Sequence, residues 1–467
     1  MRLPRVLCAA AGSCAVILGG IGATAPVVSG SGAASANVFV YPDIVTMHGP
    51  AAAVRPPTTA QCEHRFHLAC YSPIQIERAY GVPRLFAGGV TGNGQTIVIV
   101  DSFGSPTIRR DLKVFDATFH LPAPPSLKII QPAGKVPPYK PTATREGWAG
   151  ETTLDVEYSH TMAPGASIVL VETPVAETEG VTGFPQIVKA EKFVVARHLG
   201  GVISQSFGAT EQTFPNPGAI RALRGAYIAA AHAGITVLAS TGDFGAANVK
   251  LNGSTFFLHP VSSWPDTDPL VTAVGGTRLS LAASGKHTAP DRVWNDTFNP
   301  AVNLFITGNR GPNPLATGGG VSAVFPRPSF QSGVESVVGA HRGVPDISMS
   351  GACNGAVNVF QSFRGVPAGW AQVCGTSESS PLFAGVVALA DQVAGHPLGV
   401  INARLYQLLA SHAPGLVDVV KGNNTVAFHQ GGQLHTVHGF SAAPGYDLAS
   451  GAGTVSAPQF VRELAGK

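Results

Sequence analysis

The sequence predicts an α/β fold: a parallel β-sheet flanked by helices, in a single large domain. Three observations carry that prediction. Short apolar runs, several of them β-branched, alternate with helical stretches between residues 96 and 239, and such alternation implies crossover connections and a parallel sheet. Charged residues make up 12% of the 467-residue chain while hydrophobic residues reach 45%, and low charge with ordinary hydrophobicity is the opposite of a disordered composition. Gly and Pro number 56 and 37, well above average usage, so the elements are joined by many tight loops. The low charge excludes a coiled coil or a halophile-like acidic surface. The net charge of +3 leaves no basic footprint for nucleic acid.

Residues 1–36 read as an export signal. Arg2 and Arg5 give a basic start, residues 6–21 are apolar, and Ala34-Ser35-Ala36 offers a small-x-small cleavage site before Asn37. Gly12, Ser13, Gly19, Gly20 and Gly22 make the apolar stretch a poor permanent span, and no later segment is long and apolar enough to replace it. The expectation is a secreted, extracellular protein with no stable membrane span. Residues 37–70 follow as a Pro/Ala-rich leader without clear periodicity. Cys8 and Cys14 leave with the signal, so Cys62, Cys70, Cys353 and Cys374 remain. In an oxidising compartment the simple local pairing joins Cys62 to Cys70 and Cys353 to Cys374, one of three connectivities. Cys62, His64, His67 and Cys70 are also a conceivable zinc set, although their spacing fits no standard structural zinc pattern.

The main domain begins at residue 71 and runs to 467. Ser72 caps a short helix over 73–80 with Pro73 in its first position. Strands are expected at 96–100, 167–171, 201–204 and 235–239, and helices at 150–160, 185–199 and 219–233. Residues 285–320 and 421–445 read as loops, and neither looks like a domain linker. No internal repeat and no Gly-rich phosphate loop is seen. Ligands of parallel α/β folds sit at the carboxyl ends of the strands, so the chemistry is sought there.

Cys374-Gly-Thr-Ser-Glu-Ser-Ser-Pro381 ends a polar loop and opens an apolar helical run over 381–393. Ser377 near a helix N-terminus would have backbone N–H groups beside a developing anion; local context alone equally allows an N-capping serine. Pro381 is expected in the first helical turn, where it costs no hydrogen bond. Upstream stands Gly147-Trp-Ala-Gly-Glu151-Thr-Thr-Leu-Asp155-Val-Glu-Tyr. Glu151 and Asp155, four apart, share one helix face. Two close carboxyls cannot both ionise easily, so the pair shares a proton, and Glu151 could then accept the Ser377 proton. A lone Glu-x-x-x-Asp is ordinarily a solvated acidic face.

Gly-Thr-Ser-x-x-x-Pro resembles the nucleophile segment of the subtilisin-like serine peptidases. The His-Gly-Thr-His type of motif that subtilisins use as base is missing, and the 15 histidines are scattered. Glu151-Thr-Thr-Leu-Asp155-Val-Glu, followed by Met162-Ala-Pro-Gly, resembles the acid-pair segment of the sedolisin family, the serine-carboxyl peptidases, and the likeness extends over residues 71–461. It implies a subtilisin-like fold with Ser377, Glu151 and Asp155 as the triad. Asp101, closing the strand at 96–100, would support the pair from behind; a structural strand-end Asp is the plain alternative. Ser240-Thr-Gly-Asp243-Phe-Gly resembles the segment that places an oxyanion donor, here Asp243, and an Asp donates only when protonated. This predicts an acidic working range. Residues 203–208 resemble the edge strand that pairs with substrate backbone, with Ser204, Ser206 and Gly208 in that role, and Thr317-Gly-Gly-Gly resembles a cleft-lining segment. Asp418, Val419, Ala443, Gly445 and Asp447 resemble a calcium loop for one ion, which wants hard oxygens; Ala443 and Tyr446 stand where the family usually has Gly and Trp.

The implied function is a secreted, acid-acting endopeptidase that hydrolyses protein or peptide substrates as a monomer. A catalytically silent surface or binding protein on the same fold, or a subtilisin-type peptidase with an unrecognised histidine, is the alternative. The leader is shorter than the prodomain such enzymes commonly carry.

Overall fold

The structure, a computed structural model, describes residues 45–48 and 55–467. The expected signal at 1–36, including Cys8 and Cys14, lies outside the described residues. The central sheet follows the predicted α/β pattern. Its strands run in the order Arg292–Val293, Thr272–Arg278, Thr236–Ser240, Val202–Gln205, Thr96–Ser102, Ser167–Thr173, Leu127–Ile130, with Ile347–Ser350 paired onto Thr272–Arg278. All these pairings are parallel except that of Arg292–Val293. Side chains alternate across a strand, and the middle strand uses both faces. Ile97 and Ile99 join a core with Leu154, Val156, Leu382 and Phe383. Val98 and Val100 join the opposite core with Phe184, Ile187 and Tyr227. Helices therefore cover both faces, as a parallel sheet of near-continuous apolar strands requires.

Two helices matter most for the chemistry. The carboxylate helix, Ala143–Met162, is buried at every residue from Trp148 to Met162. A helix enclosed all round shows no amphipathic stripe. The helix of the candidate nucleophile Ser377, Thr376–Ala394 (the nucleophile helix), packs alongside it. Gly385 permits that approach: a Cβ there would lie 2.4 Å from Met162 Cβ, far inside contact distance.

The cap at Ser72 forms as expected, with a reciprocal bond from Gln75 and the helix Pro73–Tyr80 behind it. Several elements differ from expectation. The helix expected at 219–233 is two helices, Pro217–Leu223 and Gly225–His232, broken at Arg224. Pro381 is not in the first turn: it lies inside the nucleophile helix, which starts at Thr376. The expected loops contain a helix, Pro300–Thr307, and a hairpin, Val426–Gln430 with Gln433–Val437. The leader also carries structure. Val45–His48 pairs antiparallel with Gly369–Cys374, Thr59–Phe66 is a helix with a Thr58 capping box, and Cys70–Tyr71 pairs with Ala356–Gln361. The boundary placed between residues 70 and 71 thus cuts through a strand. Cys62 is disulfide-bonded to Cys70, and Cys353 to Cys374, so the cysteines of the conceivable zinc set are consumed. No helix of the described residues is long and apolar enough to cross a membrane.

Candidate active site

The strand Gly369–Cys374 delivers the chain to Gly375, whose φ of 132° makes the turn into the nucleophile helix. Ser377 is the second residue of that helix and is buried. Its first-turn position puts the positive end of the helix dipole beside its hydroxyl, with the Thr376 and Glu378 N–H groups taken up by Asp243 Oδ1 and the Gly375 carbonyl. The preceding Cys374 is held by its disulfide to Cys353.

Glu151 and Asp155 are fully buried, one helical turn apart on the carboxylate helix. Burial, then the neighbouring Asp155 and Asp101 charges, push the Glu151 carboxyl well above the ordinary range, while the Ser377 hydroxyl pulls the other way. Burial and Asp101 likewise raise Asp155, against a hydrogen bond from Ser206. Asp101, on the central strand, is pushed up to about 7, chiefly by burial. Three buried carboxyls thus share one site and titrate together. No formed hydrogen bond occupies either Glu151 oxygen, so the Ser377 contact is a loose one. Such bonds commonly tighten only when substrate binds.

Asp243 follows the strand Thr236–Ser240, at its carboxyl end. Its Oδ1 accepts from the Thr376 N–H at 2.7 Å and the Thr376 hydroxyl at 2.8 Å. Its Oδ2 is buried without a partner and faces Gly375, where a Cβ would lie 2.4 Å away. Burial, outweighing the two Thr376 bonds, raises this carboxyl to about 7. Because Oδ1 is occupied as an acceptor, a proton on Asp243 sits on Oδ2 as a free donor. The Thr317-Gly-Gly-Gly segment packs here too: Gly318 N–H donates to Gly242 O at 2.7 Å, and the Thr241 hydroxyl donates to Gly318 O at 3.1 Å.

The strand Val202–Gln205 is not the expected edge: it pairs with Thr96–Ser102 on one side and Thr236–Ser240 on the other, so the Ser204 main chain is committed to the sheet. Ser204 and Ser206 turn their hydroxyls toward the two helices. Ser204 Oγ is 2.9 Å from Ser380 Oγ, and Ser206 Oγ is 2.9 Å from Asp155 Oδ1. Gly208 lies beyond the strand end beside Trp264. Sequence reasoning missed Thr376 as the group that orients Asp243, and missed the Ser206 side chain. Thr376 could have been found from its place beside the nucleophile; nothing in the sequence pointed to the Ser206 hydroxyl. His160 is the one buried histidine among the described residues, and it bonds the Pro122 carbonyl and pairs with Asp116. It is not the base of this site.

The expected calcium residues form one loop system, which meets the Thr317-Gly-Gly-Gly segment where the Leu448 carbonyl lies against Gly319. Gly445 N–H donates to Asp418 Oδ2 at 2.8 Å, Ala443 N–H to Asp447 Oδ2 at 3.1 Å, and the Ser450 hydroxyl to Val419 O at 3.4 Å. Among the described residues no three His, Cys, Asp or Glu side chains gather as metal ligands. A cation here would rest on two carboxylates plus carbonyls, and that hard-oxygen set suits calcium.

The profile of the Subtilase family matches residues 146–432. Kumamolisin from Bacillus sp. is 31% identical over 392 residues, 82% of this chain and 62% of the relative. Human tripeptidyl-peptidase 1 is 30% identical over 335 residues, 68% of this chain and 52% of the relative. The chain therefore spans only about half to three fifths of these relatives. A solved Pseudomonas sedolisin, described as a serine-carboxyl proteinase complexed with two molecules of pseudo-iodotyrostatin, superposes with a TM-score of 0.69 at 25% identity. That match covers 86% of this chain and 99% of the other.

Proposed function

Since this chain belongs to the sedolisin family, on the subtilisin-like fold of the subtilases, we propose that it is a secreted endopeptidase working in acid through an acyl-enzyme on Ser377. The observation that carries the reading is the buried pair Glu151 and Asp155 on a helix packed against the start of the Ser377 helix. Glu151 takes the hydroxyl proton as Ser377 attacks the scissile carbonyl. Asp155 keeps the proton the pair shares, with Asp101 behind it. Protonated Asp243 donates Oδ2–H to the oxyanion, where loss of one donor typically costs about 10²–10³ in rate. Glu151 then returns its proton to the leaving amine. The two disulfides suit an oxidising compartment, and residues 206–208, beyond the end of the strand Val202–Gln205, would lend main-chain bonds to a protein or peptide substrate.

The test is hydrolysis of an unfolded protein at about pH 3–5 by wild type and Ser377→Ala. A loss of at least about 10³-fold in the variant is expected. Equal rates, or hydrolysis by neither, would overturn the reading.

We further propose one Ca²⁺ at Asp418, Asp447 and the Val419, Ala443 and Gly445 carbonyls. Its part is structural, since a metal bound only to the native state stabilises it by mass action. Chelation is expected to lower the Tm of wild type, with recovery on adding Ca²⁺, and to leave Asp447→Asn unaffected. An identical Tm with and without chelator would sink the assignment.

A further inference from the structure

We infer that the Ser206 hydroxyl is a positioning group that couples the proton on Asp155 to the backbone carbonyl of Ser377. The inference rests on reading Ser377 as nucleophile and Glu151 as its base. It starts from Pro381. In a helix the N–H of residue i bonds the carbonyl of residue i−4, and Pro has no N–H. Pro381 lies inside the nucleophile helix, and the carbonyl it deprives of that donor is Ser377's. Ser377 is only 5% exposed, so water is a poor substitute, and buried carbonyls are ordinarily paired. Ser206 Oγ stands 3.4 Å from this carbonyl and 2.9 Å from Asp155 Oδ1.

A serine hydroxyl carries one proton, so it can serve these two acceptors in only two ways. If Asp155 is ionised, Ser206 donates to it and the Ser377 carbonyl loses that donor. If Asp155 is protonated, it donates to Ser206 Oγ and Ser206 donates to the Ser377 carbonyl. Only the second arrangement satisfies all three groups. It keeps the shared proton on Asp155 and leaves Glu151 as the member free to act as base. The charged groups facing Asp155 are Glu151 on its own helix and Asp101 on the central strand. Asp243 acts on Glu151, and Glu378 of the nucleophile helix faces Ser350, Tyr80 and Tyr158 instead. No Lys, Arg or His among the described residues forms an ion pair with Asp155.

The two hydrogen-bond directions predict opposite signs. A hydroxyl that merely donates to the carboxylate lowers the Asp155 pKa, so its removal would raise it. A hydroxyl that also accepts from protonated Asp155 and passes its own proton to the carbonyl gives the protonated form two bonds against the one it gives the anion, and when those two outweigh the one its removal lowers the pKa. The experiment is a pH titration of the full chain labelled with carboxyl-¹³C aspartate, the Asp155 resonance being assigned with Asp155→Asn. Ser206→Ala is expected to lower the apparent Asp155 pKa by about half to one unit, and Ser206→Thr to restore it. Pro381→Ala returns a backbone donor to the Ser377 carbonyl from the other side. It should lower the pKa in the same direction, and adding Ser206→Ala to it should bring no further fall. A rise in Ser206→Ala, or no shift, would overturn the coupling. The titration needs no turnover, so it decides the coupling even if the peptidase reading fails. Where hydrolysis is observed, Ser206→Ala should lower kcat with KM little changed.

Discussion

At the scale of single residues, the decisive group is Asp243, because its geometry and its titration point the same way. The Thr376 N–H and hydroxyl both occupy Oδ1, which leaves Oδ2 as the atom that can carry a proton. With its carboxyl raised to about 7, Asp243 is a donor below that pH and a repelling anion above it. Activity is therefore expected to fall as pH rises through about 7, a wider acidic range than the sequence alone suggests. An Asn at this position accepts the Thr376 bonds through its amide oxygen and donates through its NH₂ at every pH. Asp243→Asn should remain active and should move the alkaline limb of kcat/KM to higher pH. An inactive variant that is folded, or an unmoved limb, would count against Asp243 as the oxyanion donor. The positions of Ser377, Glu151, Asp155 and Asp243 were legible because each sits in a short string of distinctive composition. Ser206 and Thr376 were not: their roles depend on which carboxylate a hydroxyl meets in space, and Ser206 is 51 residues from Asp155.

At the scale of elements, the sequence was readable wherever period and caps agreed, and misread where a local break opposed the period. The Ser72 cap and four of the eight central strands, Thr96–Ser102, Ser167–Thr173, Val202–Gln205 and Thr236–Ser240, fall close to their expected places, whereas Leu127–Ile130, Thr272–Arg278 and Ile347–Ser350 were not expected and Arg292–Val293 lies in an expected loop. The apolar content of 219–233 hid the break at Arg224, whose side chain pairs with the buried Asp268 at 2.6 Å just before Gly225. The hairpin at Val426–Gln430 turns on Gly431-Gly432, a short-loop signal that the surrounding polar residues obscured. A Pro in the sixth position of a helix is uncommon, so the sequence points to a later helix start than the one observed at Thr376. The structure puts the helix N-terminus five residues earlier, which is what brings Ser377 into the first turn. The pairing of this helix with the carboxylate helix sets the distance between Ser377 and Glu151. Gly385→Ala tests it: the new Cβ would meet Met162 Cβ at 2.4 Å and the Ser159 carbonyl at 3.2 Å. The helices must part, at a cost of about 1–3 kcal/mol. A lower Tm and a reduced kcat are expected together; an unchanged Tm would mean that the two helices are not locked at this contact.

At the scale of the whole molecule, low charge becomes a statement about pH. The described residues form six ion pairs, two of which use histidine, so acid has few carboxylate pairs to break. Many carboxyls are instead buried. Burial raises Glu77 and Asp391 to about 7 and Glu179 and Glu191 to about 8. The folded pKa lies above the unfolded one, about 4, so each group favours folding in its protonated form. That contribution is complete below about pH 4 and is lost as pH rises toward 7 or 8. Each group can remove up to about 1.4 kcal/mol per pH unit across its own window. Below that window the 30 Lys and Arg and 15 His repel one another with fewer opposing charges, which sets an acid limit. The Tm is therefore expected to fall between about pH 4 and 8. Glu191 isolates the cause. It lies on the helix Phe184–Ala196, neither of its oxygens has a hydrogen-bond partner, and burial is the sole source of its shift. Glu191→Gln keeps the shape and cannot ionise. Its Tm should match wild type near pH 4 and exceed it near pH 8, measured by thermal unfolding at both. A variant that loses as much Tm as wild type between those two points would show that Glu191 ionisation does not drive the decline.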